Sequence, residues 1–260
     1  MTSQSQPAGA SARGQLDGRV IWITGAGRGL GRAYAEGLAR EGATVAASDI
    51  ATVEEAVAAI QAAGGKAAGF ICDVTDEAAV MRCAADIKTR LGPIDGLVNN
   101  AGIYPFAPVE QTDAAFLERI FRINVFGGFH CIRAVVPDMK ARRRGKIINI
   151  TSATFHTPGQ WGTACGAARV PGGGVSSARG GGVGGCAVKV NGWGGGGTEA
   201  AGVAEAWRGG DRWTGSLAGQ CLKRREQPEE VVGTVVFLCS PASDFITAQT
   251  INCDGGMGVH

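Results

Sequence analysis

No stretch of the chain stays apolar for the ~18–20 residues a bilayer-spanning helix requires, which argues against a helical membrane protein. Cysteine pairs are missing as well. The eight cysteines are scattered without a single C-x-x-C spacing, so neither a zinc site nor a disulfide framework is indicated, and free thiols suit a cytoplasmic location. Excess charge is absent: 25 Lys and Arg against 23 Asp and Glu leave +2, no electrostatic footprint for nucleic acid. Only two tyrosines are present, Tyr34 and Tyr104, so phenolic acid–base chemistry has few carriers. Residues Met1–Gly14 are rich in Ser, Gly and Gln and lack an apolar centre. They read as a flexible tail, not a signal peptide, leaving residues 16–260 as one domain.

What is there is a regular alternation. At 260 residues and 26.5 kDa the chain suits one α/β domain with a substantial core. Arg19–Thr24 is a β-rich apolar run that passes straight into Gly25-Ala-Gly-Arg-Gly-Leu-Gly31, and a helical pattern follows from Leu30 to Arg40. Strand, glycine turn and helix together make a dinucleotide site: the glycines let backbone approach a pyrophosphate, and the helix N-terminus offers N–H groups to it. A second strand, Ala43–Ser48, ends at Asp49, about 20 residues on, where a carboxylate can accept hydrogen bonds from an adenosine ribose. The same charge repels a 2′-phosphate, so NAD is favoured over NADP. Helix Val53–Ala63, strand Lys66–Cys72, helix Asp76–Leu91 capped by Thr75 or Asp76, and strand Ile94–Val98 continue the series. Phe116–Met139 reads as one long helix, Gly145–Ala153 and Val188–Asn191 as strands, Pro228–Cys239 as a helix and Thr250–Asn252 as a last strand. Such βα units predict a doubly wound, Rossmann-like parallel sheet of about seven strands, with ligands in the crevice beyond the strand C-termini. The basic run Lys140–Lys146, with Arg142, Arg143 and Arg144, reads as a solvated loop between helix and strand.

Several of these stretches resemble the short-chain dehydrogenase/reductase family. They are the spacing of Thr24, Gly25, Gly29 and Gly31; the tetrad Asn99-Asn-Ala-Gly102; Ile123-Asn124-Val125; the strand-end Ser152; and the ending Asp254-Gly-Gly-Met257. The resemblance covers residues 16–260 and implies hydride transfer between NAD and a secondary alcohol or ketone in a homotetramer. It places Gly25, Arg28, Gly29, Leu30, Gly31, Asp49, Ile50, Asp73, Val74, Asn100, Ala101 and Gly102 around the cofactor, with Asp73 and Val74 against the adenine. Arg169 and Thr198 complete that set. Arg28 hints at NADP, but Asp49 outranks it because it occupies the position that meets the 2′-hydroxyl. Asn124 is implied to hold a water in a proton relay, and Ser152 to hydrogen-bond the substrate oxygen.

The family's Tyr-x-x-x-Lys should begin thirteen residues after Ser152, and here Cys165-Gly-Ala-Ala-Arg169 stands in its place. In the family the tyrosine exchanges a proton with the substrate oxygen, and the lysine lowers its pKa and binds the nicotinamide ribose. A thiol is several ångströms shorter than a phenol, whereas proton transfer needs heavy atoms within ~3 Å or one bridging water. The family's helix over 164–187 would also carry Pro171 and eight glycines among 172–185. At ~1 kcal/mol per interior glycine and ~3 for proline, that helix is heavily penalised. Two accounts stay open, a genuinely altered enzyme or a miswritten stretch, since Tyr to Cys and Lys to Arg are each one A-to-G codon change. Three functions follow: an active dehydrogenase, a nicotinamide-binding pseudoenzyme acting as sensor or scaffold, and a halohydrin dehalogenase of the Ser-Tyr-Arg type. The intact glycine turn and the missing tyrosine argue against the last. Tyr104, Phe106, Phe155, His156 and Trp161 fall where the family forms its substrate cleft, which suits an apolar or aromatic carbinol. Trp193 and Trp207 fall where a mobile flap would cover the cofactor.

The chain as written should release tryptic peptides Ile147–Arg169, Val170–Arg179 and Gly180–Lys189. Mass mapping of the purified protein checks this. Heavier peptides containing Tyr and Lys in their place would identify a miswritten stretch.

Overall fold

The computed structural model describes residues 14–105, 107, 109–152, 185–195 and 217–257. Seven parallel strands form one sheet: β1 Val20–Thr24, β2 Thr44–Asp49, β3 Lys66–Ile71, β4 Ile94–Asn99, β5 Gly145–Ser152, β6 Val188–Gly195 and β7 Thr250–Cys253. Their order across the sheet is β3-β2-β1-β4-β5-β6-β7. The chain therefore reverses its direction of travel between β1 and β4, and that switch point is where a crevice must open at the strand C-termini.

Strand alternation builds two cores. Val20 and Trp22 of β1 face one side and Ile21 and Ile23 the other, and all four are buried. On the Ile21 side lie helices α1 (Gly29–Arg40), α2 (Glu54–Ala62) and α6 (Pro228–Cys239), which supply Leu38, Ile60 and Val235. On the Trp22 side lie α3 (Glu77–Leu91) and α5 (Gly128–Ala141), which supply Val80, Ile87 and Val135. A strand covered on both faces needs continuous apolar residues, and β1 has them. The buried indole N–H of Trp22 is satisfied by donating to Ser48 Oγ at 2.8 Å.

Local signals act as expected at most helix ends. Asp76 Oδ1 accepts from Ala79 N at 3.1 Å and starts α3. Pro228 opens α6, where the Glu230 carboxylate accepts from Gln227 N at 2.9 Å and pairs with Arg224, which holds its pKa down at about 2. Two expectations need correction. The stretch 116–139 is not one regular helix: α4 (Ala114–Phe121) leads into a π-helical turn, Arg122–Gly127, before α5. The Asn124 amide is engaged with the Ile103 peptide instead of pointing idly from the helix, and the wider turn accommodates that. Nor is the basic run simply a solvated loop. Lys140 and Arg143 are exposed, but Lys146 is only 3% exposed, donating to Ser243 Oγ at 2.8 Å and pairing with Asp244 at 2.9 Å. Burial lowers the Lys146 pKa, and the neighbouring Asp244 works against that shift.

Arg142 is the other half of the correction. It reaches Asp95 at 3.0 Å, Asp138 at 2.7 Å and the carbonyl of Ile94 at 2.6 Å, tying the end of α5 to the start of β4. Asp95, 5% exposed, also accepts from Val20 N at 3.1 Å and pairs with Arg144 at 3.2 Å. Removing it leaves a buried N–H without its acceptor and takes one partner from each of two guanidinium groups. Asp95→Ala should lower the unfolding free energy by about 2–4 kcal/mol in urea titrations. Asp95→Asn, which keeps an acceptor for Val20 N–H, should cost less.

Candidate active site

A cavity of about 530 Å³ opens at the C-terminal ends of β1 to β4. Its floor is fixed by one hydroxyl. Thr24 Oγ1, at the end of β1, accepts from Asn100 N at 3.1 Å and Ala101 N at 3.0 Å, both just past the end of β4. Asn100 returns the bond: its Nδ2 donates to the carbonyls of Thr24 and Gly25, both at 3.0 Å. These four contacts lock the glycine turn to the β4 exit across the switch point. The turn then passes close to its neighbours. A Cβ on Gly31 would fall 2.0 Å from Gly25 O, so only glycine fits there. Gly29, at φ +57°, lines the cavity, and a Cβ built on it would meet nothing within 4 Å.

The start of α1 has no side-chain cap and no acidic residue in its first turn. Its N–H groups and positive dipole end are therefore available to an anion from solution. Beside it, Asp49 is held by two backbone donors, Gly27 N to Oδ2 at 3.0 Å and Ala51 N to Oδ1 at 3.3 Å. At the end of β3, Asp73 Oδ1 accepts from both the N–H and the hydroxyl of Thr75, each at 2.8 Å. Open room at Gly29, an uncapped helix start and a fixed carboxylate at the end of β2 fit a dinucleotide. Bound there, it would lie against the turn residues Gly25, Arg28, Gly29, Leu30 and Gly31, with Asp49 and Ile50 on one side.

Those residues, together with Asp73, Val74, Asn100, Ala101 and Gly102, all line this single cavity, so every cofactor residue expected from sequence within the described chain is brought together. Ser152 is the last residue of β5, in register with Gly195 of β6. Asn124 lies in the π-helical turn. Its Oδ1 accepts from Ile103 N at 2.9 Å and its Nδ2 donates to Ile103 O at 3.0 Å. Its amide is thus spent on fixing the backbone after the β4 tetrad. Asn99 supports the same region, donating to Asn149 Oδ1 at 2.9 Å and Gly128 O at 3.3 Å. Cys165, Arg169 and Thr198 lie outside the described residues, as do Phe106, Phe155, His156, Trp161 and Trp207. Tyr104 lines the cavity. Sequence reasoning missed Cys72, Thr75, Ile103, Arg119, Arg122 and Ile123, which also line it. Proximity to the β3 and β4 ends was a usable signal for the first three; nothing in the linear pattern separates the arginines from ordinary surface charge.

A family model described as enoyl-(acyl carrier protein) reductase matches residues 25–258, from the glycine turn to the last strand and beyond. The chain belongs to the short-chain dehydrogenase/reductase family. Its similarity to a sorbitol dehydrogenase of Cereibacter sphaeroides is 36% identity over 268 residues, covering 93% of this chain and 98% of that one. Among solved structures, it is similar to a putative NAD(P)-dependent gluconate 5-dehydrogenase from Beutenbergia cavernae with bound NADP, with a TM-score of 0.88, 31% identity and coverage of 93% and 97%. A 7α-hydroxysteroid dehydrogenase complexed with NADH and 7-oxo glycochenodeoxycholic acid gives a TM-score of 0.88 at 30% identity, covering 94% of this chain and 95% of that one. Short-chain relatives of this kind are oxidoreductases, and the solved neighbours hold nicotinamide cofactors in both phosphorylation states.

Thr24→Val keeps the shape of the side chain and deletes the acceptor of two half-buried N–H groups. It should cost about 1–3 kcal/mol in chemical denaturation and weaken dinucleotide binding measured by NADH fluorescence. Equal affinity in the variant would show that the clamp does not set the cavity.

Proposed function

We propose that this chain is an NAD-dependent oxidoreductase that interconverts a secondary alcohol and a ketone. The observation that carries the reading is the Asp49 carboxylate, fixed by Gly27 N and Ala51 N at the end of β2 within the glycine-turn cavity. A carboxylate held there accepts from the two hydroxyls of an unmodified ribose and repels a 2′-phosphate, which supports NAD over NADP. NAD, when bound, accepts hydride from the alcohol carbon or, reduced, returns it to the ketone. The chain's own residues position the substrate and move the proton. Ser152 holds the substrate oxygen, and Asn124, its amide engaged by the Ile103 peptide, secures the β4 exit loop. Arg169 keeps a positive charge for the nicotinamide ribose, though a planar fork is not a lysine point charge. Thr198 closes the cofactor set. Cys165 occupies the acid–base position, where a thiol falls short of the substrate oxygen.

A second reading rests on that same residue: a nicotinamide-binding pseudoenzyme, a sensor or scaffold, that holds NADH and turns over no carbinol. Exposed Phe126 and Phe129, on the π-helical turn and α5, support a homotetramer. Among the described residues no helix is long and apolar enough to cross a membrane, and we place the protein in the cytoplasm. Tyr104 on the cavity wall, with the aromatic residues that the family resemblance assigns to a substrate cleft, supports an apolar or aromatic ketone; the resemblance to a sorbitol dehydrogenase makes polyols the natural comparison.

The test is hydride transfer with NADH against NADPH over aryl ketones and polyol-derived ketones. The protein as written should be slow and NADH-preferring, and Cys165→Tyr with Arg169→Lys should raise kcat by about 10²–10⁴. Saturable NADH binding with no turnover in either form would favour the pseudoenzyme; preference for NADPH would sink the Asp49 argument.

A further inference from the structure

Arg119 of α4 and Arg122 at the start of the π-helical turn both line the cavity, and neither has an ion pair or side-chain hydrogen bond among the described residues. Other arginines in this half of the molecule are engaged: Arg32 with Glu36 and Glu55, Arg133 with Glu77, and Arg142 with Asp95 and Asp138. The acids in the cavity do not neutralise these two cations. Asp49 accepts from Gly27 N and Ala51 N, Asp73 Oδ1 from the N–H and hydroxyl of Thr75, and neither forms an ion pair with Arg119 or Arg122. Two guanidinium groups without a partner among the described residues thus line the same cavity as the glycine turn.

Their position along the crevice is set by packing. His130 Nδ1 lies 2.9 Å from Val74 O, and a Cβ on Gly127 would fall 2.6 Å from Val74 Cγ2. Those contacts fasten the π-helical turn to the end of β3. In the sheet order β3 and β2 lie on one side of the switch point and β5, with Ser152, on the other. The Asn124 clamp on Ile103 holds the same turn against the β4 exit. The arginines are therefore on a wall braced at both the β3 end and the β4 exit, in the cavity that Asp49 and Asp73 also line.

We propose that Arg119 and Arg122 form a cationic wall for the adenosine end of the dinucleotide, a role that rests on the dinucleotide reading of this cavity. A guanidinium offers a flat face to a purine and a charge to a phosphate, and both arginines are exposed and so open to a ligand in the cavity. The wall adds to the glycine turn a second grip on the same half of the ligand.

Calorimetric titration of the full chain with ADP-ribose and, separately, with nicotinamide mononucleotide tests this. R119Q/R122Q should weaken ADP-ribose binding about tenfold and leave nicotinamide mononucleotide within twofold, with an unchanged Tm. Unchanged ADP-ribose affinity would overturn the proposal, and so would equal weakening of both ligands, which signals a general disturbance. A raised KM for an alcohol bearing a carboxylate, with ADP-ribose binding intact, would assign the arginines to substrate and overturn it too. If the unaltered chain binds no ADP-ribose at all, the dinucleotide reading itself falls.

Discussion

The hydroxyl of Thr24 is where this structure is tied together. β1 and β4 are neighbours in the sheet but far apart in the chain, with two βα units between them, and their exits must diverge for a crevice to open. A crevice whose walls drift is useless as a binding site. One oxygen receiving two backbone N–H groups, and one asparagine amide returning two bonds to the glycine turn, hold those exits at a fixed separation. Gly31 lets the turn close against itself, and the Asn124–Ile103 pair extends the bracing from the sheet to the helical wall. The glycine turn and the β4 exit, which line the cavity from two strands, take their relative position from that lattice.

Much of this was legible in the sequence, for physical reasons. A strand buried on both faces has to be continuously apolar, as Val20–Thr24 is, and a glycine turn between such a strand and a helix has few uses besides holding phosphate. Asp49 could be placed because strand length fixes where a carboxylate emerges. The helix starts at Asp76 and Pro228 follow from local hydrogen bonding and from proline's fixed φ, which need no tertiary information.

What escaped were features decided by partners distant in the chain. Lys146 looked like one charge in a basic run. Its burial depends on Ser243 and Asp244, roughly a hundred residues away, and Arg142 likewise depends on Asp95. The π-helical turn at Arg122–Gly127 has no signature in periodicity, and the partner it engages, the peptide of Ile103, is about twenty residues away in the chain. Arg119 and Arg122 were passed over since exposure to water and exposure to a ligand cavity look the same in one dimension. Positions 165 and 169, where the family resemblance leads one to expect Tyr and Lys, are a different matter: they lie outside the described residues.

The bracing of the crevice has a consequence for how such a protein ages. Among the described residues, the contacts that shape the cavity come from the length of chain between Val20 and His130. That crevice is thus encoded by one continuous length of chain, and it can be inherited, or lost, as a single piece.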